Sequence, residues 1–237
     1  MLYFDPMYLL FVAPAALLAI YAQIRVKSAY HMGEQYMNRR RLTGAQAARR
    51  LLDVNGLQHV GIERAEGFLS DHYDPRAEVL RLSPGVHDSP SLAAVGIAAH
   101  EAGHAIQKAQ RYAPLALRNG LVPLAATGSQ ISMFLIMIGM VLMYSAGGVG
   151  RSMLLAGIAL FSVTVLFQIV NLPVEFDASR RARLILADAG IVSPEEMAPV
   201  SKVLNAAALT YVAATLTAIM QLLYFLWRAG LLGGRRN

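Results

Sequence analysis

The sequence predicts a mainly α membrane protein: about four transmembrane helices with a small α+β domain on the cytoplasmic side. Three observations lead there. Of 237 residues, 56% are hydrophobic and only 15% charged, against about 25% charged in an ordinary soluble domain, so the chain is short of solvated surface. The apolar residues gather into runs of the roughly 20 residues that a bilayer core demands. The Lys and Arg residues fall mostly between those runs. Disorder, coiled coil and an ordinary soluble enzyme are excluded. With no cysteine, disulfides, zinc ribbons and cysteine nucleophiles are excluded as well, so any metal has to be held by His, Asp or Glu. The net charge of +6 reads as positive charge retained on the cytoplasmic side, and no nucleic-acid partner is expected.

Four runs qualify as spans. The first covers residues 7–24, with Pro14 inside it, Asp5 before it, and Arg25 and Lys27 after it. That charge order is opposite to a cleaved signal peptide, so it reads as a retained anchor with its N-terminus outside. The second and third cover 121–145 and 152–172, separated by Ala146, Gly147, Gly148, Val149, Gly150 and Arg151, a helical hairpin. The fourth covers 204–227 and ends on Trp227 and Arg228, which suit an interface. Thirteen Lys and Arg fall in 25–120, four in 173–203 and one at the hairpin tip. In a four-pass chain both rich segments share one side, which is then cytoplasmic. Arg228, Arg235 and Arg236 of the tail break that pattern. The expected organisation is an anchor (1–27), a cytoplasmic domain (28–120), a membrane hairpin (121–172), a second cytoplasmic segment (173–203) and a last helix with its tail (204–237).

Residues 28–120 are too many for a loop. Thr43 with Gln46 forms a capping-box pattern; Ala47, Ala48, Leu51 and Leu52 recur at helical spacing, and Asn55-Gly56 stops the helix. His59 to Arg64 reads as a short strand. Ser70, Asp71, His72, Tyr73, Asp74 and Pro75 carry turn chemistry. Glu78, Val79, Leu80, Arg81 and Leu82 alternate at period two, as a half-buried strand does. From Ser91 to Gln110 the pattern is that of a long alanine-rich helix. The domain is read as helix, two short strands, long helix.

On that helix sits His100-Glu101-Ala102-Gly103-His104. Residues i and i+4 share a helix face, so His100 and His104 reach one ion, and Glu101 leans beside it. Two His ligands with a carboxylate base at this spacing are the arrangement of zinc peptidases. One Zn²⁺ per chain suits imidazole nitrogen and keeps a position for water; Glu101 would take the water proton and return it to the leaving amine. One protein ligand is missing. His31, His59, His72 and His87 remain, but Glu175 is the stronger candidate. It is the first carboxylate after the motif, since residues 102–174 hold no acidic residue, and the hairpin returns the chain to where it left. Glu175 opens a plausible helix start, so a cap or a salt bridge with Arg180 or Arg181 is the structural alternative.

Longer blocks make a resemblance specific. Residues 42–45 (Leu-Thr-Gly-Ala), Asn55-Gly56-Leu57, 69–75 (Leu-Ser-Asp-His-Tyr-Asp-Pro), 80–84 (Leu-Arg-Leu-Ser-Pro), 98–107 around the two His, and 173–182 from Pro173 to Ala182 resemble the YugP-like family of bacterial membrane neutral zinc metallopeptidases. The likeness covers about residues 28–190. It implies a zincin-like domain with His100, His104 and Glu175 as ligands and Glu101 as the catalytic carboxylate. The chain is more distantly similar to HtpX-like and CAAX-processing membrane proteases. In those, an Asp four residues after the ligand Glu supports a zinc-ligand His; this chain has Ser179 at that offset. Ser179 shares Glu175's face and would make a weaker hydrogen bond, whereas Asp177 points elsewhere on a helix.

Glu78 to Leu82 is a candidate exposed edge strand that would bind substrate backbone as an added strand. Candidate oxyanion donors are His72, Tyr73, Tyr112 and Arg183. The reading is a membrane-embedded zinc endopeptidase of the bacterial cytoplasmic membrane, multi-pass, with its site facing the cytoplasm. Its partners would be the lipid bilayer, a protein or peptide substrate and an unknown adaptor or regulator. A site-2-type intramembrane protease would need an acidic residue inside a later span, and spans two to four hold none. A non-catalytic membrane adaptor would have no need of Glu101, and a transporter would need an ionisable residue in mid-span.

Overall fold

Apolar length sets the long elements. In the computed structural model, which describes residues 5–143 and 145–232, four helices are long and apolar enough to cross a membrane: α1 (Pro6–Glu34), α5 (Ala113–Leu142), α6 (Gly147–Asp188) and α7 (Met197–Arg228). Between α1 and α5 lie α2 (Gly44–Val54), β1 (Gly61–Arg64), β2 (His72–Asp74), β3 (Val79–Leu82), α3 (Pro84–His87) and α4 (Leu92–Ala109). The fold is therefore mainly helical, with four long apolar helices and a three-stranded sheet. Arg235 and Arg236, on which the tail's orientation turned, lie outside the described residues.

The chain divides into two compact units. One comprises Met1–Tyr21, Leu117–Leu172 and Tyr211–Asn237; the other comprises Ala22–Ala116 and Pro173–Thr210. In the first, Ile136, Leu154, Ile158, Phe161 and Val165 pack with Ala218, Tyr224 and Phe225. The hairpin of α5 and α6 closes tightly at Gly139, where a Cβ would stand 2.5 Å from the Leu154 amide.

The second unit carries the sheet and the long buried helix. The capping box opens α2: Gln46 N–H donates to Thr43 Oγ1 at 3.2 Å, and Thr43 N–H donates to Gln46 Oε1 at 3.0 Å. Asn55 caps its end, with Gly56 at φ 74°. Ser91 caps α4 by accepting from Ala94 N–H. Leu51, Leu52, Leu80, Leu82, Val86, Ala94, Ala98, Ala99 and Ala102 form its core.

Three expectations are corrected. His72 to Asp74, read as turn, is a strand, because the turn chemistry acts only at its end: Asp74 Oδ1 accepts from the Arg76 and Ala77 amides, and the residues before it pair with β3. Glu78 to Leu82 is not an edge. The sheet order is β1-β3-β2, with β1 parallel and β2 antiparallel to β3. Period-two alternation shows which residues face the core but not which strands flank them. Beyond Leu82 the strand ends, and the chain opens the short helix α3 at Pro84. Finally, α6 continues through Pro173, so Glu175 lies inside a helix rather than at its start. Pro173 removes one intrahelical N–H donor, and the boundary between the two units falls there.

Asn38 closes the loop ahead of α2. It is fully buried; its Nδ2 donates to Pro90 O (2.6 Å) and Leu42 O (2.8 Å), and its Oδ1 accepts from Leu42 N–H (3.1 Å). Asn38→Ala removes the bonds to the half-buried Leu42 N–H and C=O, while Pro90 O keeps the Asn38 N–H at 3.0 Å; the loss costs about 1–3 kcal/mol. Thermal unfolding in detergent should show Tm lowered by several degrees; an unchanged Tm would mean these groups find other partners.

Candidate metal centre

The donor set is assembled by two helices of the second unit. On α4, His100 and His104 stand one turn apart with ring centroids 4.8 Å apart. Glu175 on α6 is 2% exposed. Its Oε2 lies 3.2 Å from His100 Nε2 and 3.5 Å from His104 Nε2. The ligand atoms of these three residues all lie within 4.8 Å of one another.

Close approach of the two backbones makes this possible. Gly103, between the two His, faces Ala178 of α6, and a Cβ there would stand 2.8 Å from Ala178 O. Only glycine lets the helices come so near.

The other imidazole nitrogens are also engaged. His100 Nδ1 lies 3.1 Å from Ser179 Oγ, and His104 Nδ1 lies 3.0 Å from Gln107 Oε1. Gln107 Nε2 in turn donates to Val174 O at 2.8 Å and to Asp177 Oδ2 at 2.9 Å. Arg180 and Arg181 both pair with Asp177. With both Nδ1 atoms taken up, both Nε2 atoms face Glu175.

This donor set fits Zn²⁺. Two imidazole nitrogens and a carboxylate oxygen are zinc-type donors, and ligands about 2.0–2.2 Å from a tetrahedral ion stand roughly 3.4 Å from each other, close to the two nitrogen–oxygen separations above. The proton balance of the group is constrained as well. Bonded to Gln107 through Nδ1–H, His104 can meet an ionised Glu175 through Nε2 only if it takes a second proton or shares a cation. Burial opposes a charged imidazole, yet the Glu175 bond and charge, with Glu101 and Gln107, raise the His104 pKa. Burial likewise opposes a charged Glu175, but the bonds from His100 and His104 outweigh it and hold its carboxyl well below the usual range.

Glu101 is buried beside the pair. Its charge contributes, after burial itself, to raising the pKa of Asp71, despite the bonds Asp71 accepts from Ser83 N–H (2.7 Å) and Oγ (3.1 Å). The other sequence candidates make these contacts outside the donor group. His72 is exposed on β2, with Nδ1 2.9 Å from Ser70 O. Tyr73 packs against the core, and burial first, then the Glu78 and Asp74 charges, push its hydroxyl up to about 12. Tyr112 lies under the Arg181 guanidinium at 5.7 Å, and Arg183 donates to Asn205 at 3.2 Å. Gln107 and Asp177 were not anticipated as supports. Gln107 sits three residues after His104, on the same helix face, which is the signal that could have found it.

Gly103→Ala tests the close approach. Alanine is the better helix former by up to about 1 kcal/mol, whereas overpacking costs about 1–3 kcal/mol. The variant should lose stability and bind metal at least about tenfold more weakly, as chelator competition would measure. Wild-type affinity would mean that α4 and α6 can part without moving the donors.

Comparison with known proteins agrees with this chemistry. The family model described as "Putative neutral zinc metallopeptidase" matches residues 8–230. The chain is 43% identical over 220 residues to the "Putative membrane protease YugP" of Bacillus subtilis (strain 168), covering 92% of this chain and 95% of that protein. No solved structure matches the chain. Matched along nearly its whole length, the chain belongs to this YugP-like family of neutral zinc metallopeptidases.

Proposed function

We propose that the protein is a zinc-dependent endopeptidase embedded in the bacterial cytoplasmic membrane, hydrolysing peptide bonds at the cytoplasmic membrane surface. The observation that carries this reading is the convergence of His100, His104 and Glu175 donor atoms within 4.8 Å, with Glu101 buried beside them. His100 and His104 would hold one Zn²⁺ per chain through Nε2, and Glu175 through its carboxylate. The ion, when bound, supplies a Lewis acid that acidifies water and polarises the scissile carbonyl.

Glu101 is the general base in this reading. Its carboxylate accepts the proton of the attacking water and delivers it to the leaving amine nitrogen, so that one group serves both halves of the hydrolysis. Burial strengthens its interactions with the charges that develop there. The substrate backbone would pair with the outer edge of β2 rather than with β3, which is flanked on both sides. Strand addition of this kind supplies main-chain hydrogen bonds largely independent of sequence. Orientation follows the Lys and Arg count, thirteen in 25–120 and four in 173–203, on the side that retains positive charge. Membrane proteins or membrane-proximal segments are the substrates this placement favours, and a membrane adaptor or regulator would be the partner that delivers them.

Metal content and turnover on the full-length protein in detergent test the reading. Wild type should carry about one zinc, lost in His100→Ala and in Glu175→Ala. Glu101→Gln should keep the zinc while hydrolysis of an unfolded membrane-protein substrate falls about 10²- to 10⁴-fold. Activity retained in Glu101→Gln would remove that residue from the chemistry, and zinc retained in Glu175→Ala would move the third ligand elsewhere.

A further inference from the structure

We propose that Gln107 is the positioning residue for His104: it holds a hydrogen on the imidazole Nδ1, in the neutral ring as in the protonated one, before any ion arrives, and Asp177 fixes which way the Gln107 amide faces. This rests on the reading of His104 as a metal ligand.

The argument is one of donors and acceptors. A glutamine amide can be turned either way, presenting NH₂ or oxygen to a neighbour. Gln107 is fully buried. On one side its Nε2 meets Val174 O at 2.8 Å and Asp177 Oδ2 at 2.9 Å. A backbone carbonyl only accepts, and so does a carboxylate paired, as Asp177 is, with Arg180 and Arg181. Both amide hydrogens are therefore used, and a turned amide would set an oxygen against two oxygens inside the protein. The Gln107 oxygen must face His104 Nδ1, 3.0 Å away. An acceptor there requires Nδ1 to carry hydrogen, so in the neutral ring Nε2 alone keeps a lone pair, directed to the Glu175 side.

His100 is held differently. Its Nδ1 partner is the Ser179 hydroxyl at 3.1 Å, which can donate or accept and so imposes no tautomer. The two histidines are unequal in consequence: His104 is preset, and His100 is free to adjust. The presetting is anchored at both ends of the contact, because Arg181 also donates to Gln110 just past the end of α4.

Three measurements on the full-length protein in detergent test this. The first is nitrogen-15 NMR of the metal-free protein with labelled histidine, at a pH where the rings are neutral. His104 should carry its hydrogen on Nδ1 in wild type and become a mixture in Gln107→Leu. The second is zinc affinity by chelator competition. Gln107→Leu should bind about 10- to 100-fold more weakly, the usual effect of removing a ligand's hydrogen-bond partner. Asp177→Asn, whose new amide can donate and so lets Gln107 turn, should weaken binding at least about threefold. The double variant should be no worse than Gln107→Leu, because Asp177 acts through Gln107; a general structural role would make the two losses multiply. The third is the Tm of each metal-free variant, so that loss of folding is seen separately. Neutral His104 bearing hydrogen on Nε2 in wild type, or losses that multiply, would overturn the proposal. If wild type bound no zinc at all, the metal reading would fail while the tautomer measurement still decided this one.

Discussion

The near-contact of α4 with α6 at Gly103 is the constraint on which the site depends. His100 and His104 project from α4 and Glu175 from α6, and short side chains cannot bridge a wide interhelical gap. A methyl group at position 103 would stand 2.8 Å from Ala178 O. The same approach brings Gln107 within reach of Val174 O and Asp177 and Ser179 within reach of His100. Ala178, on the α6 side of the contact, is itself 0% exposed. One small-residue seam therefore sets the donor distances and the supporting bonds together.

That seam also confines polarity. Most of α4 is buried, and a helix buried on all sides is ordinarily apolar throughout. Here His100 and His104 lie where α6 offers partners, and up to Lys108 the helix is otherwise alanine, glycine, isoleucine, valine and leucine around Glu101 and Gln107. Burying unpaired imidazole, carboxylate and amide groups would cost several kcal/mol each. The structure answers with bonds: both imidazoles to Glu175, Gln107 to a carbonyl and a carboxylate, and Asp177 to two arginines. Neither histidine has a carboxylate directly on Nδ1. One meets a hydroxyl, the other an amide, and the nearest carboxylate on that side, Asp177, acts one bond further out.

Much of this was legible in the sequence, and the reasons for the rest are physical. Local signals were readable because they are local: the capping box at Thr43 and Gln46, the stop at Asn55-Gly56, and the i, i+4 spacing of His100 and His104. Glu175 stood out by the absence of any other carboxylate across residues 102–174. Strand neighbours are not local. The alternation through Val79 to Leu82 marks Leu80 and Leu82 as core, and both are 0% exposed, but pairing with β1 on one side and β2 on the other depends on segments that the alternation does not mention. The partner of Asp177 is hidden from the sequence for a related reason. On α6 it is turned away from Glu175, as helical geometry requires, yet a residue of α4 reaches across to it. The third span is bounded in the sequence at residue 172 by apolar length alone, whereas α6 runs on through Pro173 and tolerates the one donor that a proline removes.

The far end of α4 extends the same logic to the sheet. One turn beyond His104, Lys108 donates to Pro75 O at 2.5 Å and to Glu78 at 2.6 Å. Glu78 holds a positive φ of 54°, a conformation that non-glycine residues adopt at some cost, and the bond to Lys108, first, draws its carboxyl below the usual range. The turn between β2 and β3 is thus fastened to the helix that bears the histidines. At the other end of β2, Asp71 is tied to Ser83. A strand of three residues has little register of its own, since its neighbour could slip along it; fixed at both ends, it cannot. The open edge of β2 and the donor nitrogens are therefore referred to a single rigid element. The proposed hydrolysis at a defined bond would require this, because a reacting carbonyl misplaced by about 1 Å can lose about 10²-fold in rate.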